Sequence, residues 1–580
     1  MIKNHHCRGS LSPHHSTFVF SLYIIAIVLL SIISHSNHQV NGELIEYSVK
    51  GLHVEGKFIK NGKGEVIQLR GANRPGTEYC CVQYGKIFDG PSDMDHLKEM
   101  VNWNINAVRV PLNEDCWLGL HAKESDHFGA AYRKAITQYI NDITSLNIAV
   151  IIDLHWAGDG GGSILAEKQI PMPNSVNSPT FWKSVANTFI DNTAVLFDLY
   201  NEPYPYGNDW DSENAWKCWR DGVDCGDTIT YKPAGMQQLV SAVRSTGSKN
   251  IVILSGIQYA TSLTKFLQYI PVDPINQMGA AIHSYDFNFC RSRGCWDTYL
   301  RPVFEKYPIV ATETGQRDCK TDFIRDFLHY CDQNDIHYLA WSWLVAPCDN
   351  PSLITDYDGT PTVYGRGLKL HLNALANNEE PFYSDTFDMF NDKFTHWVDN
   401  WSTDKAMLSN SSDVVHEGEY AIFYHPETDQ TLHLRCWGCV QTDIHKQVEF
   451  WVNGGFQGGQ QLDLCLLQLN EDGSNTVMQT FSLDSLLGQS IPADKWVKVI
   501  ADLGALPKGT QYDGIWLKPP NATYQSPLFV DKVTIRAYID PPMPAEWQDQ
   551  SEESSSSKLI IMTQKLFFTT IILLSYFLLF

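Results

Sequence analysis

Between residues 43 and 380, short apolar runs alternate with stretches of helical periodicity. The runs are Val66–Arg70, Ile105–Val110, Ile148–Leu154, Ala194–Tyr200, Ile251–Ser255, Met278–His283, Ile309–Thr312 and Tyr338–Trp341. Each is nearly continuous rather than alternating, the pattern of a strand buried on both faces. Between them, Asp93–Val101, Ala130–Ser145, Thr180–Asp191, Pro233–Ser245 and Thr321–Gln333 predict helices. Eight such units predict an α/β fold, a (β/α)8 TIM barrel. The competing arrangement, an open doubly wound sheet, usually carries a Gly-rich nucleotide turn after its first strand. Arg70-Gly71-Ala72-Asn73-Arg74 lacks that spacing.

After residue 380 the texture changes. Alternating strand-like runs take over at Tyr420–Tyr424, Thr431–Arg435, Val448–Val452, Gln461–Leu467, Trp496–Asp502, Gly514–Leu517 and Leu528–Arg536. Turns such as Asn453-Gly454-Gly455 divide them. The pattern predicts an all-β, jelly-roll-like sandwich over 382–540, placed to act as a carbohydrate-binding-like module. Residues 541–557, proline-rich and then acidic and serine-rich, read as a stalk.

Both ends are hydrophobic. Phe18 to Ile33 is apolar, follows Lys3 and Arg8, and precedes Ser34-His35-Ser36, so residues 1–36 read as a signal peptide, with an uncleaved signal anchor as the alternative. At the other end, Ser554–Ser557, a spacer and an apolar tail from Leu566 to Phe580 make 558–580 a glycolipid (GPI) attachment signal or a membrane tail. Cysteine use agrees with export. Cys7 lies in the leader, and Cys218/Cys225 and Cys290/Cys295 are close enough to staple loops. Cys436-Trp437-Gly438-Cys439 has metal-ligand spacing but no matching second pair, so it reads as a disulfide or free thiols. Thirteen cysteines follow the leader, which leaves at least one thiol over. Sequons stand at Asn400, Asn410 and Asn521. The net charge of -23, without a Lys/Arg cluster, excludes a nucleic-acid partner.

Two apolar strands end in a glutamate. One reads Asp198-Leu199-Tyr200-Asn201-Glu202-Pro203, the other Val310-Ala311-Thr312-Glu313-Thr314-Gly315. Strand C-termini open into the active site of a barrel, where an otherwise costly charge has work to do. Two carboxylates at one barrel mouth are what glycosidic cleavage requires: one protonates the leaving oxygen, the other attacks or activates water. Trp117, Trp156, Tyr204, Tyr206 and Tyr259 also follow strands and offer rings for stacking on sugar.

With these residues in order, the first domain resembles glycoside hydrolase family 5, the cellulase family. The resemblance covers about residues 43–375. It rests on Arg109 after the second strand, His155 after the third, Asn201-Glu202-Pro203 after the fourth, His283-Ser284-Tyr285 after the sixth, Glu313 after the seventh and Trp341-Ser342-Trp343 ending the eighth. It implies a retaining glycosidase that uses no cofactor or metal, with Glu202 as acid/base and Glu313 as nucleophile. Arg109 and Tyr285 would hold Glu313 ionised, and Asn201 would bond the sugar 2-hydroxyl. His155 and His283 would bond hydroxyls or orient the acids. One of Trp341 and Trp343 would stack under the sugar; the following loop favours Trp343. The expected partner is β-glucan, cleaved by a monomer at the cell surface through an endo-β-1,4-glucanase-type reaction. The same residues would serve β-1,3-glucan, mannan or a glycolipid, and a silent carbohydrate-binding protein is the non-enzymatic alternative. A GPI-cleaving phospholipase should release the protein from membranes; retention after treatment would favour a tail anchor.

Overall fold

A computed structural model describes residues 48–537 apart from 122–125, 318, 348, 382–384, 396–397, 403–405, 410–413, 427–430, 471–472 and 522–523. The expected leader, stalk and tail, and Asn410, lie outside the described residues. Among the described residues no helix is long and apolar enough to cross a membrane.

Eight strands close into a parallel barrel: β1 (Arg70–Asn73), β2 (Ala107–Asn113), β3 (Ala149–Trp156), β4 (Val195–Asp198), β5 (Val252–Ser255), β6 (Met278–Tyr285), β7 (Ile309–Gly315) and β8 (His337–Ala340). β8 pairs with β1, so no edge remains. The open-sheet alternative is thereby excluded. Side chains alternate along each strand. One set, including Val108, Val110, Val150, Ile152 and Phe197, packs outward in the large core beneath the helices. The other set points inward. Its lower layer is apolar: Ala107, Ala149, Ile151, Leu196, Ile253, Ala281, Val310 and Leu339. A hairpin of His53–Glu55 and Phe58–Lys60 brings Ile59 into the same cluster and plugs that end. Two residues further along, the inward positions become polar: Asn73, Arg109, Asp153, Asp198, Ser255 and His283. The polar layer lies at the strand C-termini, as a barrel active site requires.

Seven of the eight apolar runs coincide with the barrel strands. The first is displaced. Val66 bridges antiparallel to Lys60 and Ile67 and Leu69 join the plug, while β1 is the less apolar Arg70-Gly71-Ala72-Asn73. Gly71 explains that composition, because a Cβ there would lie 1.7 Å from the Ala107 carbonyl oxygen. The five expected helices form within a few residues of their predicted ends. Asp93 caps the first by accepting from the amides of Asp95 and His96. Helices Glu213–Asp221, Arg293–Tyr299 and Val363–Ala376 were not anticipated.

Among the described residues, those after 386 form antiparallel sheets of seven and five strands. Met389, Phe390, Val530 and Ile535 from one and Leu434, Leu464 and Ile515 from the other share a single core, so the two sheets make a sandwich. Strands Phe387–Asn391, Ala406–Ser409 and Asn475–Ser482 were missed by the hydrophobic pattern. In the last, Thr476, Val477 and Met478 are exposed, so burial left no alternation to read. Arg291 ties the barrel to the sandwich through Asp399 and the Val398 carbonyl.

Disulfides join Cys81–Cys116, Cys218–Cys225, Cys290–Cys295 and Cys436–Cys439. Cys80, Cys331 and Cys465 are free and buried. Gly71→Ala should cost about 2–3 kcal/mol through overpacking against β2, read as a lowered urea midpoint with an unchanged slope.

Candidate active site

Beyond β4 the chain turns through Leu199-Tyr200-Asn201-Glu202, and buried contacts fix the turn. The Leu199 carbonyl accepts from Trp182 Nε1 at 2.9 Å, Tyr200 Oη donates to the Ile170 carbonyl at 2.6 Å, and the Asn201 amide donates to the Leu154 carbonyl at 3.1 Å. Glu202 emerges a quarter exposed. Glu313 comes to meet it through an irregularity in β7. The register against β6 shifts, so that His283 lies opposite Glu313 rather than Thr312. Thr312 is buried with its Oγ1 3.1 Å from His283 Nε2, and the extra residue also turns Glu313 toward the barrel axis. His283 Nδ1 stands 2.8 Å from Glu202 Oε1 and 3.5 Å from Glu313 Oε2. Oxygens of the two carboxyls and a His283 nitrogen all lie within 4.8 Å of one another.

Both Glu313 oxygens accept hydrogen bonds. Arg109 Nη1 donates to Oε1 at 2.8 Å and Tyr285 Oη to Oε2 at 2.7 Å. Arg109 is fully buried and spends every donor nitrogen. Nε and Nη2 reach Asp198 Oδ2 at 3.1 and 3.0 Å, Nη1 also reaches Asn73 Oδ1 at 3.1 Å, and Nη2 reaches Asn201 Oδ1 at 2.8 Å and Asp153 Oδ2 at 3.0 Å. Asp153 Oδ2 lies 2.6 Å from His155 Nδ1. A single guanidinium thus binds five residues on or just past four other strands. Two cavities open above it. One of about 800 Å³ is lined by Glu202, Tyr259, Phe287, Phe289, Glu313 and Trp341; the other, about 470 Å³, by Glu78, Tyr79, His155, Trp156 and Trp341.

Residues 61–346, which carry this constellation, match the family model "Cellulase (glycosyl hydrolase family 5)". The barrel domain belongs to glycosyl hydrolase family 5. Its relatives include Endoglucanase MaCel5A of Microbulbifer sp. (strain ALW1), 23% identical over 295 residues, half of each protein. An endoglucanase of Dictyostelium discoideum is 25% identical over 139 residues, 24% of this chain and 19% of that one. The chain thus spans half or less of the length of these two relatives. Among solved structures, the beta-glucanase SdGluc5_26A from Saccharophagus degradans, in complex with cellotetraose, aligns over 58% of this chain and 98% of its own, with 19% identity and a TM-score of 0.44.

Burial drives the electrostatics of the family 5 site. It raises the Glu202 carboxyl to about 7, with His155 and Arg109 opposing and the Asp153 charge adding to the rise. Burial lowers His283 to about 4, which keeps that ring neutral between the two acids. Burial also works against a charge on His155, but the adjoining Asp153 carboxylate outweighs it and lifts the ring to about 9. Glu202, His283 and Glu313 stand close enough to hold a cation, yet both Glu313 oxygens are already taken by donors.

The structure gathers Arg109, His155, Asn201, Glu202, His283, Tyr285 and Glu313 at one place. The tryptophan assignment is reversed. Trp343 is 1% exposed and packs edge-on against Trp103 at 4.8 Å, while Trp341 lines both cavities and stacks on His155 at 5.9 Å. Trp117 is also core rather than cleft. Asp153, Asp198 and Asn73 escaped notice as site residues, although acids inside apolar strands at Asp153 and Asp198 were a legible signal. Gln169 carried no signal: it accepts from Asn201 Nδ2 at 2.9 Å and donates to the Glu202 carbonyl at 2.6 Å, a pairing only the fold makes. Glu202 sets the sign of one pH dependence. Its carboxyl binds a proton more tightly in the fold than in the unfolded chain, so stability falls as pH rises from 4.5 through about 7. Glu202→Gln should be roughly 1–3 kcal/mol more stable than the parent above that window and converge with it below, measured by urea unfolding.

Proposed function

We propose that the barrel hydrolyses β-linked glucan with retention of anomeric configuration, by an endo-β-1,4-glucanase-type reaction. The observation that carries this reading is the spacing of the two acids: oxygens of Glu202 and Glu313 within 4.8 Å. Retaining glycosidases hold their carboxyls about 5–5.5 Å apart, whereas inverting ones need about 6.5–9.5 Å to admit a water.

In the first step Glu313 attacks the anomeric carbon as the glycosidic bond breaks, and Glu202 gives its proton to the departing oxygen. Glu202 holds that proton up to about pH 7 because of its burial. Glu313 is aimed by Arg109 and Tyr285, which grip its two oxygens. Glu202, now a carboxylate, then draws a proton from water as that water attacks the glycosyl ester, and Glu313 departs unchanged. His283 stays neutral in the gap and separates the acids without adding a charge. Asn201 adjoins Glu202 and would reach the 2-hydroxyl once Gln169 yields its amide. Trp341 offers the stacking surface beneath the reacting ring. Two cavities that share Trp341 and Asn350, one of them lined by both acids, fit cleavage within a chain rather than at its end. The hydrophobic ends of the sequence support a reading of the enzyme at the cell surface, anchored by a GPI attachment or a membrane tail.

Glu313→Ala and Glu202→Ala should each lower kcat by roughly 10³-fold or more with melting behaviour retained. Proton NMR of early products from cello-oligosaccharides should show the β-anomer first, and kcat/KM should fall above about pH 7 as Glu202 loses its proton. Near-normal turnover in either variant, or an α-anomer first, would refute the assignment.

A further inference from the structure

Between β6 and the helix Arg293–Tyr299 the chain forms a wall of the larger cavity that burial alone does not hold. Phe287, Asn288 and Phe289 line that cavity, and the two rings are 47% and 37% exposed. A segment with so little buried apolar contact keeps one position only through polar anchors. Asn288 supplies the first. Its side-chain oxygen accepts from the Tyr285 amide at 2.8 Å, and its own amide donates to the Tyr285 carbonyl at 3.0 Å. The turn is thereby closed on the last residue of β6, whose hydroxyl grips Glu313 at 2.7 Å. The Phe287 ring also stacks on Tyr285, with centroids 5.0 Å apart and planes 23° from parallel. Any displacement of this wall therefore reaches the hydroxyl that aims Glu313.

The second anchor comes from the other domain. Arg291 Nη1 donates to the Asn288 carbonyl at 3.2 Å. Its Nη2 donates to the Asp399 carboxylate and, at 3.3 Å, to the Val398 carbonyl. Val398 is buried in the sandwich core, and Asp399 pairs with Arg435 in the five-stranded sheet. One end of the guanidinium is thus fixed to a sheet and the other to the cavity wall. The Arg291 side chain is largely buried while that of Asp399 is more than a third exposed, so water partly screens the pair. The rest of the segment is pinned to the same surroundings. The Cys290–Cys295 disulfide joins the wall to the helix, and Arg293 Nε donates at 2.9 Å to Asp326 of the barrel helix Asp322–Gln333. Gly294 lies against Gly438 of the sandwich, where an added Cβ would stand 3.5 Å from the Gly294 Cα.

We propose that Arg291 is a positioning residue for the nucleophile, and that the sandwich, through Asp399 and Val398, sets its place. The proposal rests on the glycosidase reading of Glu313 and deepens it. The connection runs from the five-stranded sheet through Arg291 to the Asn288 carbonyl. It continues through the Asn288 side chain to the Tyr285 backbone, and through Tyr285 Oη to Glu313 Oε2. The sandwich thereby takes part in the chemical step, independently of any hold on a polymer. A module that only gathered glucan would leave turnover of a small soluble substrate untouched. A sandwich that fixes Tyr285 changes it.

The test uses the full chain with Asp399→Ala, Asp399→Asn, Arg291→Ala and the double variant of the two alanine changes. The substrate is the small, soluble 2,4-dinitrophenyl β-cellobioside. Asp399→Ala should lose about fivefold in kcat with KM within about twofold, the scale of one partly screened ionic hydrogen bond. Arg291→Ala should lose at least as much. The double variant should lose no more than Arg291→Ala, because both changes break one link. Asp399→Asn keeps an acceptor oxygen and should return kcat to within about twofold of the parent. Urea unfolding shows that each variant is folded under the assay conditions. Parental kcat in Asp399→Ala, or a double variant that loses the product of the two single losses, overturns the proposal. If the parent turns over neither this substrate nor cellopentaose, the glycosidase reading fails, and amide hydrogen exchange decides the link separately. Exchange across residues 285–291 about fivefold faster in Asp399→Ala than in the parent upholds it, and equal exchange there overturns it.

Discussion

The buried guanidinium of Arg109 is the constraint on which the site depends. A charge in the barrel interior is expensive to desolvate, and the fold tolerates this one because Asp153, Asp198 and Glu313 face it at 2.8–3.1 Å. Satisfying one cation with three acids fixes the relative positions of β2, β3, β4 and β7. Removing the cation would leave those acids repelling one another in a space that excludes water. The same network hands on geometry. Asp153 holds the His155 ring, Asn201 is gripped at its side-chain oxygen, and Glu313 is offered to the cleft with its oxygens already oriented.

Around that centre the barrel is divided along its axis. The lower interior is apolar and plugged by the N-terminal hairpin, while the upper interior is polar and opens to the cavities. Burial therefore acts at the site without isolating it from substrate. It produces different outcomes from similar groups, and neighbours decide which. His283, with no carboxylate able to offset its desolvation, is pushed down to about 4, whereas His155 beside Asp153 is raised to about 9. Glu202, whose carboxyl meets the neutral His283 ring, keeps its proton to about 7. Acid, neutral spacer and gripped carboxylate are three results of one low-dielectric environment.

Much of this was legible in the chain. Continuous apolar runs give the barrel strands because strands covered on both faces cannot show polar alternation. Glutamates at two strand ends stand out because a charge there is costly unless a site requires it. Legibility fails where one residue does two jobs or where pattern is weak. β1 was displaced because Gly71 and Asn73 answer to close packing and to Arg109 rather than to hydrophobicity. Trp341 and Trp343 are chemically identical and two residues apart, so only their surroundings separate cleft from core.

The sequence by itself determined the barrel, the sandwich that follows it and the glutamates that stand out at two strand ends, because these follow from local periodicity and from the cost of charge in apolar strands. The tertiary structure alone decided how those side chains divide the work. The β7 irregularity that turns Glu313 inward, the Gln169 pairing with Asn201 and the exposure of Trp341 all arise between segments distant in the chain. Their physical basis is register, burial and neighbouring charge, which exist only once the strands have closed.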